Sequence, residues 1–288
     1  MHRYHKEISL YFELKDTPAS SRESYHRRID TFIKHLEQHK PAEEVSFHDI
    51  QQFILYLKKE KGLAAGTINN YISAIKFFYT HVLNREWDSK QVPLMKRKAK
   101  LPLIPPREDV LRILNETDNL KHKAFLSLLY GSGLRVGEVV RLKISDICSK
   151  TMRIRVENAK HDTNRYTILS ETTLQILRDY FREYFTKGYK LDDWLFPGQK
   201  PEEHLNVKTI KNTLIKLRNR LLLDRNISAH TLRRSFATHA LEDGTDPAFI
   251  QQLLGHKRIN TTMLYLNLTS KSLMGIKSPL DNNKGASS

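Results

Sequence analysis

His230-Thr-Leu-Arg-Arg-Ser-Phe-Ala-Thr-His239 is the stretch on which the reading of this chain turns. It falls in a helix expected over 231–241, and His230 and Arg233, three residues apart, share one helix face. The next helix, expected over 247–254, runs into Leu253-Leu-Gly-His256, and Tyr265 follows nine residues later. Upstream, Gly131-Ser-Gly-Leu-Arg135-Val-Gly-Glu138 places Arg135 at the start of a helix after a glycine-broken helix end. Between these boxes, Lys160 sits in a turn flanked by two alternating stretches, 152–157 and 165–169, that read as strands. Arg135, Lys160, His230, Arg233, His256 and Tyr265 together make a set of cations, imidazoles and one phenol. Metal-free phosphodiester chemistry needs such a set: guanidiniums neutralise a phosphate, a phenol attacks it and a protonated group expels the leaving oxygen.

Composition bounds the alternatives. At 288 residues the chain is long enough for two domains, and 39% apolar residues suit a globular protein. No apolar stretch approaches a membrane span, and the first residues, Met1-His-Arg-Tyr-His-Lys-Glu7, lack the apolar core of a signal peptide. A single cysteine, Cys148, fits a reducing compartment, so a cytoplasmic protein is expected. The 48 basic side chains outnumber the 32 acidic ones, for a net charge of +16. That excess favours a polyanionic partner, although a merely soluble basic protein has the same balance. The 13 histidines invite a metal, but no HExxH or Cys/His ligand spacing occurs, so no metal or other cofactor is expected.

Periodicity divides the chain. Residues 1–90 read as a helical bundle, with one helix near 8–14 and another carrying Tyr25, Ile29, Phe32, Ile33 and Leu36 on one face. Ser46 with Asp49 forms an N-cap pair for a third helix, and Thr67 is the expected cap of a fourth. Residues 91–106 hold Lys96, Arg97, Lys98 and Lys100 followed by three prolines, and read as an extended basic linker. Residues 107–269 are helices around one small sheet, and 270–288 form a short tail with apolar positions. The expected class is mainly α, with the small β-sheet confined to the C-terminal domain. Within 205–234, eight basic residues face one acid, Asp224, and Lys208, Lys211 and Arg218 can share a helix face. Such a face suits a DNA groove or a phosphate backbone as well as plain solvent.

The ordered boxes from Gly131 to Glu138, His230 to Arg233, Leu254-Gly-His256 and Tyr265 resemble those of the tyrosine site-specific recombinases, the phage-integrase and Xer-like family. The resemblance covers nearly the whole chain. It implies an N-terminal helical, SAM-like DNA-binding domain over 1–90 and a catalytic domain over 107–269. It assigns Tyr265 as nucleophile, Arg135 and Arg233 as phosphate ligands, His230 as proton handler, His256 as a charge stabiliser and Lys160 as proton donor. Glu138 is implied as a brace behind these groups. Lys160 lacks the glycines that often flank it in relatives, but the strand-turn-strand setting survives. Arg165 enters the second strand where relatives often carry a basic residue, and it is counted among the DNA contacts with Lys96, Arg97, Lys98, Lys100, Lys208, Lys211, Arg218 and Arg234. Arg234 stands where many relatives have a histidine.

The resemblance further implies double-stranded DNA with a specific recombination site as partner, and a homotetramer that exchanges strands through a Holliday junction. No membrane, ATP or divalent metal enters. The residues after Tyr265 are expected to dock on a neighbouring protomer or on their own domain with equal weight. An unperturbed phenol, with a pKa of about 10, is ionised to only about 0.1% at neutral pH, so nearby cations and a base must activate Tyr265. Resolution of cointegrates or dimers of a mobile element or plasmid is the favoured role, with element integration as its neighbour. A type IB topoisomerase shares much of this residue set, and a noncatalytic architectural protein would explain the charge but not the assembled nucleophile.

Overall fold

A computed structural model of the chain describes residues 4–36, 40–96, 104–157, 164–186, 188–200 and 202–255. The chain divides into two compact units, 1–100 and 101–288.

Among the described residues of the first unit the α-helices are α1 His5–Leu14, α2 Ala19–Leu36, α3 Phe47–Lys59 and α4 Ala65–His81. Each buries the apolar stripe that its sequence spells out, including Ile29, Phe32 and Ile33 on α2, Ile50, Phe53 and Leu57 on α3, and Ile68, Ile72 and Ile75 on α4. Ser46 caps α3 as expected. Its hydroxyl accepts from Asp49 N at 3.3 Å, and Asp49 Oδ2 accepts from Ser46 N at 2.8 Å. The expected cap at Thr67 is not realised. Thr67 lies inside α4, its N–H already donating to Ala64 O at 2.8 Å, because the chain reverses earlier at Gly62, where φ is +59°.

The linker is shorter than 91–106. Val92 is buried against the bundle, and Asn69 of α4 clasps Met95 by donating to its carbonyl at 3.0 Å and accepting from its N–H at 2.8 Å. A side-chain amide offers both a donor and an acceptor, so one buried asparagine can hold a strand-like segment without a sheet. At the other end Pro105 is buried and its carbonyl reaches His239, so residues from 104 onward pack with the second unit.

The second unit surrounds a central helix. It comprises α5 Arg107–Asn115, α6 Leu120–Gly131, the one-turn α7 Val136–Val139, α8 Glu171–Tyr184, α9 Val207–Arg220, α10 Ala229–Glu242 and α11 Pro247–Leu254. Every residue from Ala124 to Leu129 of α6 is buried, and α6 packs against α8 and α10. A helix apolar on all sides must be enclosed, which makes α6 the axis of this unit. It ends at Gly131, as the glycines led one to expect, and the reversal comes at Gly133, where φ is +62°.

The sheet has three antiparallel strands in the order β1 Ile147–Cys148, β2 Arg153–Val156 and β3 Arg165–Ile168. The hairpin of β2 and β3 matches the two strands expected, with Ile154 opposite Thr167. β1 was not expected: two residues are too few to show alternation, and only the pairing of Ile147 with Ile154 and Cys148 with Arg153 defines it.

Candidate active site

One carboxylate organises the site. Glu138, on α7 and nearly buried, receives three arginines from three separate segments. Arg135, the residue before α7, donates its backbone N–H at 2.7 Å and its Nη1 at 2.7 Å. Arg165, opening β3, sets its planar fork on both oxygens, with Nη1 on Oε1 and Nη2 on Oε2, each at 2.9 Å. Arg233 of α10 approaches from the interior, its Nη1 lying 3.4 Å from Oε2. Burial alone would raise the Glu138 pKa. The hydrogen bonds and charge of Arg165, the Arg135 N–H and the charge of Arg233 override it and lower the pKa to about 2. Glu138 is therefore ionised at every physiological pH, and one negative charge faces three guanidiniums. The surplus is positive.

Arg233 is only 1% exposed, which requires its donors to be taken. Nη1 donates to Gly133 O at 2.7 Å and Nη2 to Leu254 O at 2.6 Å. Gly133 can bring its carbonyl this close because it has no side chain: a Cβ there would stand 2.4 Å from the Phe236 ring. Arg135 is the outward member, with 42% of its side chain exposed. Its exposed guanidinium, backed by a fixed carboxylate, suits bidentate capture of a phosphate.

Ser228 caps α10 by accepting from Thr231 N at 3.3 Å, which sets His230 in the first turn. His230 is exposed as a residue, yet partial burial of its ring, followed by the charges of Arg234, Arg233 and Arg135, lowers its pKa from 6.5. The imidazole is thus held neutral at neutral pH and can accept a proton. α11 runs into this cluster with its C-terminal end: Asp246 caps its start, Pro247 occupies the first turn, and Gly255, with φ of +63°, ends it.

The structure brings Arg135, Glu138, Arg165, His230 and Arg233 together. Lys160, His256 and Tyr265 lie outside the described residues, as do Arg97, Lys98, Lys100 and the tail. Among the expected DNA contacts, Lys96, Lys208 and Lys211 are exposed and Arg234 is half-buried. Two expectations change. Arg165 turns inward, its side chain 10% exposed and its fork spent on Glu138. Arg218 turns from the lysine face to donate Nη1 to Ile227 O at 2.8 Å, tying α9 to the loop before α10. Both arginines found closer acceptors than a surface offers. No cluster of His, Cys, Asp or Glu suited to a metal occurs among the described residues, and none of their helices is long and apolar enough to cross a membrane.

Comparison with known proteins places this arrangement. Residues 106–272 match the Phage integrase family, and residues 5–89 match the Phage integrase N-terminal SAM-like domain. The chain belongs to the phage integrase family. This Xer-like tyrosine recombinase is 35% identical over 275 residues to y4qK of Sinorhizobium fredii, named as an integrase/recombinase, across 95% of this chain and 87% of the relative. It is 31% identical over 268 residues to tyrosine recombinase XerD of Oceanobacillus iheyensis, across 87% of this chain and 88% of the relative. Its fold is similar to that of XerH site-specific recombinase bound to a palindromic difH substrate, with a TM-score of 0.73 at 19% identity over 93% of this chain and 82% of that one. The Tn1549 transposon integrase in complex with transposon right-end DNA gives a TM-score of 0.68 at 18% identity, covering 96% of each chain.

Proposed function

We propose that this tyrosine recombinase cuts and rejoins duplex DNA at a specific site, storing the bond energy in a 3′-phosphotyrosyl link. The observation that carries the reading is the convergence of Arg135 and Arg233 on Glu138 beside a neutral His230, assembled from segments about 100 residues apart. A tyrosine hydroxyl entering this cluster meets a base and a surplus of positive charge.

In the proposed step the Tyr265 oxygen attacks the scissile phosphorus while its proton passes to His230. The bond from phosphorus to the 5′ oxygen breaks, and that oxygen takes a proton from Lys160. Arg135 meets the phosphate at the surface, Arg233 adds charge from below, and His256 completes the cradle for the pentavalent phosphate. A 5′ hydroxyl from a partner strand reverses the step, so neither ATP nor a divalent metal enters the balance. Four protomers on two DNA sites would exchange strands in two rounds through a Holliday junction. The N-terminal bundle and the exposed Lys208 and Lys211 of α9 supply duplex contacts, with Lys96, Arg97, Lys98 and Lys100 along the linker. The element served is a plasmid or mobile element whose dimers or cointegrates need resolving, and the family resemblance to the Xer recombinases supports this.

A nicked suicide duplex tests the reading. Wild-type protein should give a covalent adduct that survives denaturing electrophoresis, and Tyr265→Phe should bind the same duplex without forming one. Absence of adduct with wild type on its cognate site would sink the enzyme reading. Relaxation of supercoiled plasmid lacking any site, with no junction intermediate, would replace recombination by a topoisomerase.

A further inference from the structure

Arg165 is the one guanidinium of the cluster whose role the sequence misplaces. It opens β3 five residues after Lys160, and its three hydrogen bonds all point into the protein. Nη1 and Nη2 take the two oxygens of Glu138, while Nε donates to Leu253 O at 2.8 Å. The last carbonyls of a helix have no intrahelical donors, and a cation there also complements the helix dipole. Arg165 and Arg233 thus hold consecutive carbonyls, Leu253 and Leu254, at the end of α11. Gly255 closes the contact: a Cβ at this position would come within 2.9 Å of Arg165 Cδ. His256 is the next residue.

We infer that Arg165 is a positioning residue for strand cleavage, which locks Glu138, and through it the Arg135 guanidinium, to the end of α11, two residues ahead of His256 in the sequence. The inference rests on the recombinase reading above. Its chemistry is specific to arginine. A planar fork satisfies both carboxylate oxygens while its third edge reaches a carbonyl on another segment, whereas one lysine ammonium cannot span the same three acceptors. Without the fork, Glu138 keeps its bonds to Arg135 but loses the partner that fixes its plane, and the α11 terminus loses a donor. Displacing a phosphate-binding guanidinium by about 1 Å is enough to slow a positioned reaction on the order of 10²-fold.

The test uses the full-length chain on a nicked suicide duplex, its site defined by sequencing the DNA in the wild-type adduct. Arg165→Met should slow single-turnover adduct formation about 100-fold and Arg165→Lys about tenfold, with duplex Kd within about twofold of wild type at constant salt. Arg165→Met combined with Glu138→Gln should be no slower than the slower single variant, because both act through one contact. Adduct formation by Arg165→Met within about threefold of wild type would overturn the inference. A Kd that weakens as far as the rate falls, with a salt slope smaller by about 1, would make Arg165 a phosphate contact instead. If Arg165→Met does not fold, Arg165→Lys decides. A wild-type melting temperature with slowed cleavage supports positioning, and cleavage that recovers in step with the melting temperature assigns Arg165 to stability alone. Failure of wild type itself to form an adduct is a different result, and it removes the recombinase reading together with this inference.

Discussion

α9 and α10 are consecutive helices of 14 residues each, both basic, and they use their charge in opposite ways. α9 shows Lys208 and Lys211 to solvent while Ile210, Leu214 and Leu217 face the core. α10 turns Arg233 inward until 1% remains exposed. A solvated lysine adds to the field and costs the fold little. A buried guanidinium is tolerated only where a carboxylate and carbonyls await it, and it then dictates where those groups sit. In the proposed function, charge on α9 attracts DNA and charge on α10 sets the geometry that the DNA meets.

The largest effect should come from breaking α10. Arg233→Met removes one of the three cations around Glu138 and leaves the Gly133 and Leu254 carbonyls without their donor, so unfolding free energy should fall by about 3 kcal/mol or more. Urea denaturation measures it, and a loss under about 1 kcal/mol would erase the contrast between the helices.

Next comes Glu138, whose pKa of about 2 lies below its ordinary 4.5. The folded protein therefore binds this proton less readily than the unfolded chain. Its contribution, on the order of 3 kcal/mol, is present above pH 4.5 and lost as pH falls from 4.5 toward 2. Glu138→Gln should lower stability at neutral pH and flatten the acid limb of a stability-versus-pH series. An unchanged acid limb would mean that another carboxylate controls that window.

His230 should set the acid side of the cleavage profile. Its pKa is lowered by burial and then by Arg234, Arg233 and Arg135, so adduct formation should hold at neutral pH and decline on acidification below 6.5. Arg234→Ala removes one of those charges, and the decline should then begin at higher pH. A profile that does not move would place the titrating group elsewhere.

The smallest effect on the fold belongs to α9. Lys208→Ala with Lys211→Ala should leave stability within about 0.5 kcal/mol and reduce the salt slope of DNA binding by about 1 per lysine. Stability loss comparable to that of Arg233→Met would show that α9 is not merely a solvated face.

Much of this was legible in the chain. Helical periodicity located the helices of the first unit together with α10 and α11, the hairpin and the Ser46 cap stood in short-range spacing, and Glu138 as a brace came from the resemblance. α7 was foreseen only as a helix start at Arg135, and β1 not at all, because four residues and two residues carry too little pattern. The clasp of Asn69 on Met95 shortened the linker, and it depends on a contact 26 residues away that no local window contains. Arg165 was placed on a DNA-facing surface by the resemblance, and Arg218 because helical spacing puts it on one face with Lys208 and Lys211.

By itself, the amino-acid sequence determined a basic, mainly helical protein whose ordered boxes belong to the tyrosine recombinases, since periodicity, charge and motif order survive as one-dimensional patterns. Tertiary structure alone decided which arginines face the interior. A long guanidinium stem can turn either way, and its direction is settled by acceptors elsewhere in the chain: for Arg165, Glu138 lies 27 residues away and Leu253 lies 88.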